Sequence, residues 1–140
     1  VQFDLTFSQN ALQQIERYHF MDFVSSQSKM HKIVKFNLKQ QCNKYVNPQI
    51  IDIVQGMINE YNRLANLDNP TPERKHMMDE LYLEILYNIP CGFELTAGMT
   101  TNYQQLKTIY QQRRHHRLPD WKVFCDWIET LPRFMELTQK

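Results

Sequence analysis

Hydrophobic residues in this chain switch between a period of two and a period of three to four, and the switches mark its elements. Phe3, Leu5 and Phe7 alternate with Gln2, Asp4 and Thr6, which predicts a half-buried strand over 1–7. Ser8 follows as a helix N-cap. Leu12, Ile15, His19 and Phe23 then recur at helical spacing, predicting a helix over 9–23 with His19 on its apolar stripe. Ser25, Ser26 and Ser28 favour a loop, because their hydroxyls compete for backbone hydrogen bonds. Val34, Phe36 and Leu38 alternate with Lys35, Asn37 and Lys39, which predicts a second strand.

Beyond Pro48 the helical period dominates. Ile51, Val54, Ile58, Tyr61 and Leu64 predict a helix over 48–65. A connector follows, in which Thr71 caps and Pro72 opens a helix over 72–87 carrying Met78, Leu81, Leu83, Ile85 and Leu86. Pro90 stops it. Phe93, Leu95, Ala97 and Met99 alternate with Glu94, Thr96, Gly98 and Thr100, the clearest strand pattern in the chain. A helix over 101–116 and a final one over 120–130, across Trp121, Phe124, Cys125 and Ile128, meet at Leu118-Pro119. The expected fold class is α+β: one domain, 1–140, with a small, mostly antiparallel sheet packed against about five helices.

Composition narrows the function classes. The 140 residues are 42% apolar and 22% charged, as in an ordinary globular domain. Sixteen Lys and Arg against fifteen Asp and Glu give a net charge of +1, so no bulk attraction to nucleic acid or anionic membrane exists. Cys42, Cys91 and Cys125 are odd in number and far apart, which argues against a disulfide framework or a CxxC metal site and fits a reducing, cytoplasmic setting. No apolar run approaches the roughly 20 residues of a membrane span. The chain opens at Val1 rather than Met, as a trimmed start would.

Candidate chemistry concentrates on the helix over 101–116. Asn102, Leu106, Ile109 and Arg113 share one face, so a guanidinium sits at the end of an apolar stripe. Either Arg113 snorkels into water, or its planar fork reaches an anionic ligand. The run Arg113-Arg114-His115-His116-Arg117 is the densest positive stretch; it suits a helix C-terminus and is weak support for nucleic-acid binding. His19 reads as a core histidine or a site residue, and Ser28 as a turn residue or a site residue. No HExxH spacing, Gly-rich phosphate loop or nucleophile elbow is present, and nothing pairs Glu84 with Glu94 as acid and base, so no metal centre is expected.

Pro90, Asn102 and Arg113 stand in a register that resembles the flavin-dependent thymidylate synthases: a helix ending at a Pro, a strand, an Asn opening the next helix and an Arg toward its end. His116 through Trp121 is loosely similar to that family's following segment. The signature RHRxxSxNExSxRY lies without gaps on Tyr18 to His31, where His19 and Ser28 match, while Tyr18, Phe20 and Met30 stand in place of its arginines and Ser26 in place of its Glu. Glu84 stands where members carry a further Arg. The resemblance implies nucleotide binding by Arg113 and Ser28, and cofactor binding by His19, Asn102 and Thr108. It implies FAD as cofactor and reductive methylation of dUMP, with NADPH as hydride source and methylenetetrahydrofolate as carbon source. It also implies a homo-oligomer, a tetramer in the family, of which this chain is a shortened form. Arg17, Lys29, Lys32 and Arg114 are the candidates for replacement charge. Two other readings stand beside it: a non-catalytic nucleotide-binding or protein-interaction domain on the same scaffold, and a small nucleic-acid binder.

Overall fold

The structure, a computed structural model, describes residues 1–26, 33–35 and 37–138. Its elements in chain order are β1 (Gln2–Ser8), α1 (Gln9–Ile15), β2 (Asp22–Ser26), a 3₁₀ turn (Ile33–Lys35), α2 (Leu38–Gln41), α3 (Pro48–Ala65), α4 (Pro72–Tyr87), β3 (Glu94–Thr100), α5 (Tyr103–Arg113), α6 (Pro119–Glu129) and α7 (Phe134–Thr138). The fold class is α+β, with a three-stranded antiparallel sheet in the order β1-β3-β2. The described chain divides into two compact units, Val1–Ser26 with Leu95–Lys140, and Gln27–Glu94.

In the first unit β3 is the central strand. Val1 and Thr101 exchange both main-chain hydrogen bonds, at 2.8 and 2.9 Å, and the hydroxyls of Thr6 and Thr96 meet at 2.7 Å. On its other side β3 pairs with β2 from Asp22↔Thr100 to Ser26↔Ala97, with an irregularity between Phe23 and Ser25. The alternation of β1 does what its pattern predicts: Leu5 and Phe7 are buried, while Asp4 and Thr6 are exposed. Against them lie Ala97 and Met99 of β3, Leu106 and Ile109 of α5, and Trp121, Phe124 and Ile128 of α6. Phe7 meets Trp121 edge-on at 5.1 Å, and burial of each such side chain contributes roughly 1.5–3 kcal/mol.

The second unit is mainly helical. α3 and α4 each start at a proline after a side-chain cap, Asn47 and Thr71 respectively, and their tyrosines Tyr61 and Tyr82 meet at 5.4 Å. Val54, Ile58, Leu64 and Ile85 are buried, but Leu83, expected on the apolar stripe of α4, is half exposed.

Two boundaries differ from the sequence expectation. The helix expected over 9–23 stops at Ile15, since the main-chain N–H groups of Arg17 and Tyr18 turn back to Gln14 and Ile15, and the chain then joins the sheet as β2. Of the strand expected over 34–38, Phe36 lies outside the described residues; Val34 and Lys35 belong instead to a 3₁₀ turn and Leu38 to α2, which Asn37 caps and whose Leu38 N–H donates to Gln55 Oε1 at 3.3 Å. Helix 101–116 is shorter at both ends, with Asn102 as its cap, and α2 and α7 come in addition to the five expected helices.

Candidate functional site

The turn between α1 and β2 and one face of α5 enclose a cleft of about 410 Å³ within the first unit. Arg17, Tyr18, His19 and Phe20 line it from the turn, and Gln104, Gln105, Thr108, Gln112 and Arg113 from α5. The α5 contribution repeats at i, i+4 and i+8, so Gln104, Thr108 and Gln112 form a polar stripe beside the buried Leu106 and Ile109. Among the described residues, two guanidiniums and one imidazole reach the lining, and no carboxylate does.

The turn is held at Phe20. Its N–H donates to Gln105 Oε1 at 3.3 Å, and its carbonyl accepts from Thr101 Oγ1 at 2.7 Å. Gln105 and Thr101 are both buried, and these bonds satisfy the Gln105 Oε1 and the Thr101 hydroxyl. The main chain at the cleft's edge is therefore fixed to the start of α5 rather than left to the solvent.

Arg113 is held from three sides. Its Nε donates to the Tyr18 hydroxyl at 3.0 Å, its Nη1 donates to Gln14 Oε1 at 3.3 Å, and its guanidinium carbon lies 5.0 Å from the centre of the Trp121 ring. The Tyr18 hydroxyl in turn donates to Gln112 Oε1 at 2.9 Å. A guanidinium carries five N–H groups, so three remain unbonded among the described residues. Among the described residues no carboxylate pairs with Arg113.

Its neighbour is the opposite case. Arg114 reaches Asp126 at 2.7 Å and Glu129 at 3.2 Å, and Lys122 reaches Asp126 at 2.9 Å. The hydrogen bond from Arg114, with that from Lys122, holds the Asp126 carboxyl below its ordinary range. The Leu118 N–H donates to His116 Nδ1 at 3.1 Å, which puts the neutral ring's proton on Nε2. The basic run is thus divided: Arg113 faces the cleft, Arg114 is paired with α6, His116 caps a turn, and His115 and Arg117 are exposed.

Of the residues proposed from sequence, His19, Thr108 and Arg113 come together on this cleft. His19 does so for a reason the apolar-stripe reading did not contain: it lies beyond the end of α1 and is exposed. Asn102 is outside the lining, and its Oδ1 accepts from the Gln105 N–H at 2.8 Å as the cap of α5. Thr108 Oγ1 also donates to the Gln104 carbonyl at 3.2 Å. Ser28 lies outside the described residues, as do Lys29 and Lys32. Arg17, a candidate for replacement charge, lines the cleft, whereas Arg114 does not. Gln14, Gln104 and Gln112 were missed; the i, i+4, i+8 polar stripe on α5 was the readable signal for two of them.

No family model and no curated relative matches this sequence. Two crystal structures of the flavin-dependent thymidylate synthase ThyX from Helicobacter pylori, both with FAD and dUMP, match the fold. The TM-scores are 0.65 and 0.64 at 14% identity, over 98% of this chain and 70% and 69% of the other. At that identity the likeness is one of architecture, and the chain shares the thymidylate synthase-like fold of ThyX.

Proposed function

We propose that this chain is a divergent flavin-dependent thymidylate synthase whose cleft takes dUMP through Arg113. The observation that carries the reading is the arginine's setting: a guanidinium oriented by Tyr18 and Gln14, unpaired by carboxylate among the described residues, in a cleft without acidic lining, on the fold of an enzyme solved with that nucleotide. Such a fork suits a phosphate or an imide edge, and the amide side chains of Gln104 and Gln112 offer donors and acceptors to a base. The orientation of the nucleotide, rather than covalent chemistry by the protein, is what these residues supply.

FAD, when bound, supplies hydride relayed from NADPH, and methylenetetrahydrofolate supplies the carbon. Arg17 and His19 are the residues of this cleft suited to flavin phosphate, with Thr108 beside them. A homo-oligomer, cytoplasmic location and Ser28 on the nucleotide belong to the same reading.

One observation favours a second reading, a nucleotide-binding domain without flavin chemistry. Tyr18, at a position where the signature carries an arginine, spends its hydroxyl on Arg113 and Gln112 and brings no positive charge. The purified protein separates the two. A yellow preparation with oxidised-flavin absorbance and formation of dTMP supports the enzyme, whereas dUMP binding by a colourless protein that flavin does not reconstitute supports the binding domain. Arg113→Ala weakens dUMP binding about 10- to 100-fold with the fold intact, the effect of losing a charge-assisted contact. Unchanged affinity in calorimetry sinks the assignment of the cleft.

A further inference from the structure

Gln14 Oε1 accepts two hydrogen bonds at once, from Trp121 Nε1 at 2.7 Å and from Arg113 Nη1 at 3.3 Å. Both partners are donors only, so the amide's orientation is fixed: oxygen toward the pair, nitrogen away. The same residue's main-chain carbonyl accepts from Arg17 N–H at 3.3 Å, where the chain leaves α1 for the cleft. Gln14 therefore joins the buried indole, the guanidinium and the start of the lining turn.

We infer that Gln14 is a positioning residue that aims Arg113 at an anionic ligand while leaving its charge unspent. The inference rests on the proposed role of Arg113. Its physical content is the choice of a neutral acceptor. An amide oxygen restrains the guanidinium through one hydrogen bond, and with Tyr18 on Nε the fork retains three N–H groups for the ligand. A carboxylate in that place would hold the arginine more strongly and offset the charge that the ligand needs, as Asp126 and Glu129 do for Arg114. Adjacent arginines on one helix thus have opposite assignments, one paired within the fold and one kept for binding.

The test uses the full chain with dUMP as probe and two substitutions. Gln14→Met keeps length but removes the acceptor; Gln14→Glu keeps an acceptor for both donors and adds the charge. Nitrogen-15 spectra of the ligand-free protein report the Arg113 Nε–H and Trp121 indole signals, and urea unfolding reports stability. The expected result is that Gln14→Met shifts both signals and lowers dUMP affinity about tenfold. Gln14→Glu retains the stability and the bonded indole yet also loses about tenfold in affinity, and that loss shrinks at high salt. A purely structural role predicts that Gln14→Glu restores affinity along with stability, and that result overturns the inference. So do unchanged Arg113 and Trp121 signals in Gln14→Met. If the wild-type protein binds no dUMP, the proposed function fails, while the ligand-free spectra still decide whether Gln14 positions Arg113.

Discussion

The guanidinium of Arg113 lies 5.0 Å from the centre of the Trp121 ring, and the indole is fully buried beneath it. A cation over an indole face is worth roughly 0.5–2 kcal/mol and changes the ring's electrostatic surroundings. A ligand that draws on Arg113 should therefore be reported by Trp121. Trp127 is the other tryptophan, so Trp127→Phe leaves Trp121 as the sole indole emitter. In that variant dUMP should shift or quench the emission with a saturable dependence, and adding Arg113→Ala should remove the response. A saturable signal that survives the loss of Arg113 would place the nucleotide elsewhere.

The cleft's edge depends on a hydroxyl far along the chain. Thr101→Val removes the donor to the Phe20 carbonyl while keeping the side chain's shape, leaving a part-buried acceptor unmade. The expected destabilisation is about 1–3 kcal/mol, with weaker dUMP binding because the turn carrying Arg17, Tyr18 and His19 loosens. Thr101→Ser should recover most of both. Equal urea midpoints for the Val and Ser variants would show that the bond contributes nothing.

That turn also marks where the sequence was legible and where it was not. Ser8 and Thr71, read as caps from the sequence, have side-chain oxygens that accept from main-chain N–H groups, a chemistry local to the residues themselves; Asn47 and Asn102 cap in the same way without having been read as caps. The strand patterns of β1 and β3 were equally local. His19 and Phe23 match the helical period after Ile15, yet the helix ends there, because Gln105 and Thr101 capture the Phe20 main chain and β3 pairs with Phe23. Those partners are about 80 residues away, and no window of sequence contains them. In the candidate site, Arg113 was readable as a charge at the end of an apolar stripe. Gln14 was not, since its role exists only once Trp121 and Arg113 converge on its oxygen.

Gly92 offers a test within the second unit. A Cβ added there would clash with Val46 Cγ2 and meet Asn43 Oδ1 at 2.8 Å, closer than such atoms approach without movement. The Asn43 N–H donates to the Gly92 carbonyl at 2.9 Å, and Cys42 bridges Phe93, so the backbone is tied on that side. Gly92→Ala should cost about 1–3 kcal/mol, the usual range for overpacking. Adding Val46→Ala should recover part of the loss, a coupling that a double-mutant cycle in urea measures directly. Strict additivity would mean that the contact with Val46 is not the source.

The three cysteines are free thiols in three environments: Cys91 exposed, Cys42 partly buried and Cys125 fully buried on α6. Burial pushes the Cys125 thiol up to about 11, with Arg114 opposing the shift and Asp126 and Glu129 adding to it. Burial, followed by Glu94, raises Cys42 as well. Since the thiolate is the reactive form, a disulfide reagent at pH 8 should modify Cys91 first, Cys42 more slowly and Cys125 only as the protein unfolds. The sign of the pH effect follows from the same shift. The unfolded thiol loses its proton near its ordinary value of 9.0, whereas the folded one keeps it to about 11, so between those values the unfolded state binds fewer protons. Stability should be unaffected by this group below pH 9 and should decline as the pH rises toward 11. Cys125→Ala removes that dependence, at the cost of a small cavity. An alkaline decline in urea midpoint equally steep in Cys125→Ala would assign it to other groups.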